Sequence, residues 1–101
     1  MTFLNYTPHN VVMNDGRVFT SCGVARVSNT FSDVVDDVCE VHYGDIVGLP
    51  SPTDGVTYIV SALVLSAAKE LGRNDCVAPA TGHPQCVRKD GFIVSVPCFV
   101  R

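Results

Sequence analysis

Thr57-Tyr58-Ile59-Val60-Ser61-Ala62-Leu63-Val64-Leu65-Ser66-Ala67-Ala68-Lys69-Glu70-Leu71-Gly72 carries the clearest local signals in the chain. Thr57–Val60 is short, apolar and rich in β-branched and aromatic side chains, which reads as a buried strand. Ser61 stands at the N-cap position of a helix. Leu63, Val64, Ala67 and Leu71 follow at helical spacing, with Ser66, Lys69 and Glu70 on the other side. Gly72 then supplies the left-handed residue that ends a helix. The spacing predicts one helix over residues 61–71. No other segment has this pattern, so the remaining strands are expected to pack around it.

Upstream, Phe3–Tyr6 reads as an opening strand that Thr7-Pro8-His9 interrupts. Pro8 locks its own φ and pushes Thr7 toward extended geometry, which predicts a rigid corner. Asn10–Met13 and Arg17–Ser21 flank Asn14-Asp15-Gly16, a strong hairpin signal. Val24–Ser28 and the alternating Val38–Tyr43 are further strands, separated at Asn29–Asp37 by a polar, acidic loop or irregular edge. Downstream, Cys76-Val77 is a short apolar pair, and Ala78–Pro84 is a loop fixed by Pro79, Gly82 and Pro84. Gln85–Arg88 and Phe92–Val96 bracket Lys89-Asp90-Gly91 as a second hairpin, and Pro97 limits the last strand to an edge or a bend. About seven short strands, mostly joined by hairpins, plus one helix predict an α+β domain. Its expected form is a mostly antiparallel curved sheet or partly open barrel.

The 101 residues suffice for one domain, residues 1–101. With 47% apolar and 17% charged residues, the chain is too hydrophobic to be disordered. It is also apolar enough at its surface to expect self-association. No apolar run is long enough for a membrane helix, and Met1–Tyr6 lacks the pattern of a signal peptide. The net charge of −3 argues against non-specific nucleic-acid binding. The charge is uneven: residues 1–54 carry seven acids and two bases, and residues 55–101 three acids and five bases. Five cysteines with no secretion signal point to free thiols in a reducing cytosol, with Cys39 and Cys98 as small core residues.

Two corners are candidates for chemistry. His9 beside the locked Pro8 can bind an anion or act as a base, or the corner can be purely structural. In the Ala78–Pro84 loop, Gly82 exposes backbone N–H groups and Thr81 offers a hydroxyl, which suits phosphate or ribose. Arg88 is suited to capturing a phosphate, and Tyr6 or Tyr58 to stacking on a base. Zinc would need His83 and Cys86 with Cys76 and either His42 or Cys39, but no Cys-x-x-Cys pair exists, and no metal or cofactor is expected. Possible nucleophiles (Cys22, Cys86, Ser61, Ser66) lie in no known catalytic motif. Asp33, Asp36, Asp37 and Glu40 form an acidic stretch able to meet a basic protein surface.

Four blocks, Leu4-Asn5-Tyr6-Thr7-Pro8-His9, Ala25-Arg26-Val27-Ser28, Tyr43–Pro50 and Tyr58–Val64, occur in this order. With Arg73–Pro79, Val87-Arg88 and Phe99-Val100-Arg101, the order resembles that of a family of small, functionally uncharacterised bacteriophage and prophage proteins. The resemblance covers nearly the whole chain and brings no activity with it. It implies a protein made in the cytoplasm of an infected bacterium, where small phage proteins without catalytic motifs often block host defences by binding. The expectation is therefore a non-enzymatic sponge for a small nucleotide-like immune signal, acting as a homo-oligomer. Its expected ligand-binding residues are Tyr6, Thr7, His9, Thr81, His83 and Arg88. The alternatives are an inhibitor that docks a host defence protein through residues 33–40, and a small His-dependent hydrolase.

Overall fold

A computed structural model describes residues Thr2–Arg101. The fold is α+β, with one helix and ten short strands: β1 (Thr2–Asn5), β2 (Val11–Val12), β3 (Val18–Phe19), β4 (Arg26–Phe31), β5 (Val41–Val47), β6 (Val56–Ile59), α1 (Ala62–Glu70), β7 (Cys76–Pro79), β8 (Val87–Lys89), β9 (Phe92–Ser95) and β10 (Phe99–Val100). Among the described residues, four of the six strand pairings are antiparallel, and no sheet closes into a barrel.

The central sheet has the order β1-β6-β7-β10. Within it both pairings of β6 are parallel: Thr2–Asn5 runs beside Val56–Ile59, and Tyr58-Ile59 beside Cys76-Val77. Hairpin counting does not reveal these pairs. The pairing of β6 with β7 follows from β6-α1-β7 being a crossover unit, which returns the chain parallel to its start, whereas β1 joins β6 from half the chain away. The burial of β6 agrees with this, since a parallel strand is covered on both faces. Tyr58 and Val60 point to one face and pack with Ala25, Val64, Leu65, Ala68, Cys76 and Ala78. Ile59 points to the other and packs with Val11, Met13, Val77 and Val96. Phe3, Phe19 and Phe99 close this second core, with ring centroids 5.2–5.8 Å apart.

Ser61 caps α1 as expected, its Oγ accepting the N–H of Val64 at 3.3 Å. The helix ends in a Schellman arrangement: Arg73 N donates to Ala68 O, Gly72 N to Lys69 O, and Gly72 has φ +78°. The buried face is Val64, Leu65, Ala67 and Ala68, while Leu63 and Leu71 are exposed. The helix is thus turned about one position from the expected face, and Val64, Leu65 and Ala68 join the buried cluster of Ala25, Tyr58, Val60, Cys76 and Ala78.

The remaining strands form three two-stranded ribbons, β2–β3, β4–β5 and β8–β9. The first and last turn at Asp15-Gly16 and Asp90-Gly91 as read from the sequence, with positive φ at Gly16, Asp90 and Gly91. In the middle ribbon the stretch expected as a loop or irregular edge begins in β4, at Asn29–Phe31, and ends in a turn. Val35 and Val38 exchange both backbone hydrogen bonds, at 2.9 and 3.0 Å, around Asp36 and Asp37, which take φ +52° and +65°. The acidic stretch is therefore a tight hairpin tip on a projecting arm. Cys39 and Cys98 are also exposed, and Cys76 is the buried thiol. Burial, the main cause, pushes its pKa up to about 11.

Beside α1, Arg73 donates to both carboxylate oxygens of Asp75 at 2.9 and 2.8 Å and to the Pro50 carbonyl at 3.0 Å. This clamp ties the helix exit to the loop before β6. It holds the Asp75 carboxyl below its ordinary range, chiefly through the Arg73 hydrogen bonds.

Candidate functional site

β1, β6 and β7 point the same way, so their carboxyl ends lie together. β1 ends at the Thr7-Pro8-His9 corner, β6 at Ser61 and the start of α1, and β7 at Pro79 and the Thr81 loop. A half-open cleft of about 470 Å³ sits at this edge. Thr7, Pro8 and His9 form one side, and Ser61 with Ala62 and Pro79 with Thr81 form the floor and far side. Asn10–Val12 and Ile93–Val96, the latter from β9 and the residue after it, complete a mainly apolar lining. In open sheets this carboxyl edge is where ligands collect. The leading N–H groups of α1, at Ala62 and Leu63, have no intrahelical acceptor and favour negative charge.

Asn5 builds the corner. Its side chain is 1% exposed, and its amide nitrogen donates to the carbonyls of His9 and Phe19, each at 2.8 Å. Its Oδ1 accepts the Thr7 N–H at 2.9 Å. The Thr7 hydroxyl lies 2.7 Å from the same Oδ1 and 2.8 Å from the His9 carbonyl. Ser21 adds an O–H to the Thr7 carbonyl at 2.7 Å. Thr7 is thus a buried fastening rather than an open ligand group, although its side borders the cleft. The His9 backbone is fixed, and its exposed imidazole makes no protein hydrogen bond among the described residues.

The structure brings Thr7, His9 and Thr81 to the same cleft. The other three expected residues are placed elsewhere. Tyr6 packs edge-on against Tyr58 at 5.5 Å and lines a smaller hollow of about 200 Å³ across the Pro8 corner, shared with Arg26 and Leu63. Its neighbours in the core hold the ring, which makes it a packing residue first. His83 accepts the Gln85 N–H on Nδ1 at 3.0 Å within its own loop, outside the lining. Arg88 also lies outside the lining, and its Nη2 donates to the Thr81 carbonyl at 2.8 Å. It acts on the cleft through the loop that presents Thr81.

Sequence reading missed Asn5, Ser61 as a floor residue and the β9 wall. Asn5 stands in the Asn-x-Thr-Pro-His run, but its partner Phe19 is distant in sequence. Ser95 is held in the wall by donating to Asn14 at 2.6 Å, a link across most of the chain. His9 is the one titratable side chain of the lining, which includes no carboxylate and no cysteine. Among the described residues, no three His, Cys, Asp or Glu side chains gather as a metal would need, and no helix is long and apolar enough to cross a membrane. No protein-family model, curated protein or solved structure matches this chain.

Proposed function

We propose that the protein is a non-enzymatic binding protein that holds a small nucleotide-like molecule in the cleft at the carboxyl ends of β1, β6 and β7. The observation that carries this reading is the convergence of two proline-fixed corners and a helix N-terminus on one cleft. Its volume of about 470 Å³ lies inside the range of about 300–1,000 Å³ typical of small-ligand sites. The division of its lining fits an amphipathic guest. Val11, Val12, Pro79, Ile93, Val94 and Val96 offer apolar surface for a base. His9 and Thr81 offer donors for phosphate or ribose, with the N-terminal end of α1 at Ser61 and Ala62 beside them. Sequestration requires only such affinity, a rigid site and enough copies. In the setting implied by the phage resemblance, the guest is a host immune signal and the protein is a sponge in the infected cell's cytoplasm.

The hydrolase alternative would use His9 as its base. A base of this kind works with a group that orients it, and the lining supplies no carboxylate for that role. The test is calorimetric titration with a panel of cyclic oligonucleotides and other nucleotide signals. One member is expected to bind without being consumed. His9→Ala and Thr81→Ala should each weaken it about tenfold, or about 1.4 kcal/mol. Turnover of the bound molecule, or affinity indifferent to both substitutions, would contradict the assignment.

A further inference from the structure

The chain has more surface than a domain of its mass needs. Its accessible area is 6594 Å², whereas a compact 10.8 kDa protein exposes about 5,500 Å². Its radius of gyration is 15.0 Å, against about 13 Å for a compact chain of this length. The excess of roughly 1,000 Å² is comparable to the ~800 Å² that each partner hides in a standard protein interface.

Two places expose large apolar side chains in groups. One is the β4–β5 arm, with Phe31, Val34, Val35 and Val38 each about two-thirds exposed. The other is the β8–β9 ribbon, with Phe92 77% exposed and Val87, Ile93 and Val94 about half exposed. Their charges are opposite. Residues 32–40 of the arm carry Asp33, Asp36, Asp37 and Glu40 and no base, and Asp45 adds a fifth acid toward its foot, where Arg26 lies. His42 lies 3.9 Å from Glu40. The β8–β9 ribbon carries Arg88 and Lys89, with Asp90 at its turn. Lys89 pairs across the ladder with Phe92, which sets a cation beside the most exposed ring. Arm against arm would oppose acids to acids, and ribbon against ribbon bases to bases. Arm against ribbon satisfies both the apolar surfaces and the charges.

We infer that the arm of one copy docks on the β8–β9 ribbon of a second copy, so that the protein is a homo-oligomer built on this contact. The contact can be reciprocal in a two-fold dimer or head-to-tail in a ring. Ile93 and Val94 belong both to the ribbon and to the cleft wall. The arm of the second copy therefore covers the outer side of that wall.

The test is the oligomeric state by sedimentation and light scattering at tens of micromolar, in low and high salt. The wild type is expected to be at least dimeric, with association weakened tenfold or more by salt. Phe31→Ser and Phe92→Ser, both at exposed positions, should each give monomers with unchanged circular dichroism. Reversing charge on one side only, with Asp33→Lys/Glu40→Lys or Arg88→Glu/Lys89→Glu, should also give monomers. Mixing these two proteins, or combining the four changes in one chain, should restore association. Three results would overturn the inference: a monomeric wild type, an oligomer indifferent to Phe31→Ser and Phe92→Ser, or two charge variants that do not complement each other. A monomer whose arm instead binds a basic host protein would assign the arm to that partner.

Discussion

Asn5 uses both amide protons and accepts on Oδ1 while almost wholly out of water. Removing it leaves the Thr7 N–H without its acceptor and takes the amide donor from the carbonyls of His9 and Phe19, of which the first keeps the Thr7 hydroxyl. Unmade hydrogen bonds of this kind cost about 1–3 kcal/mol each before relaxation, so Asn5→Ala is expected to lose roughly 2–4 kcal/mol. Asn5→Asp keeps the acceptor but sets a carboxylate against two carbonyl oxygens, and should fall nearly as far. Urea denaturation of both variants checks this, and an Asn5→Asp protein as stable as wild type would show that the donor side is unimportant. Gly48 is a second decisive residue. It has φ +89°, and an added Cβ would stand 2.4 Å from the Val24 carbonyl oxygen. Gly48→Ala is expected to cost about 1–3 kcal/mol by the same measurement, whereas Gly55→Ala, with nothing within 4 Å, pays only for its positive φ. Thr7 and His9 stand out in the sequence because Pro8 advertises a corner. Asn5 does not, because its role depends on β3 arriving from another part of the chain.

At the level of elements, the helix with both its ends, the β2–β3 and β8–β9 turns and the buried strand before α1 were legible, since each rests on neighbours in sequence. The parallel pairing of β1 with β6 was not, because the two strands lie half the chain apart and nothing local marks their direction. The arm's hairpin was hidden for another reason. Asp36 and Asp37 take the positive φ values that a turn signal would assign to Asn or Gly, so an acidic run reads as loop. The Arg73–Asp75 clamp makes a pH prediction. The Asp75 pKa is lowered in the folded state, so its stabilisation is fully present above the ordinary carboxylate value and is lost as pH falls through the lowered one. Stability should therefore drop below about pH 4, with Asp75→Asn flattening that limb. Cys76 acts on the other side. Its raised thiol pKa favours the folded state below the ordinary thiol value of about 9 and ceases to do so as pH climbs to about 11. In thiol labelling at pH 8, exposed Cys22, Cys39 and Cys98 should react first and Cys76 only on unfolding.

For the whole molecule, three parallel strand ends make one cleft, and the ribbons extend away from it as arm and wall. Part of this site was readable. The two Pro-fixed corners stand out separately in the sequence, and the fold brings Thr7, His9 and Thr81 together because β1 and β7 flank β6. Tyr6, His83 and Arg88 qualify on chemistry alone. The first is held by packing and the other two by contacts within or across the 81–85 loop. Arg88→Ala should therefore lower ligand affinity less than Thr81→Ala does. The most direct measurement of the central claim is a native mass spectrum of the protein purified from a bacterium with active defence signalling. The spectrum is expected to show an added mass of several hundred daltons per subunit, lost on denaturation and much reduced in the His9→Ala/Thr81→Ala double variant. A spectrum without added mass, from a host in which the signal is demonstrably present, would contradict the claim.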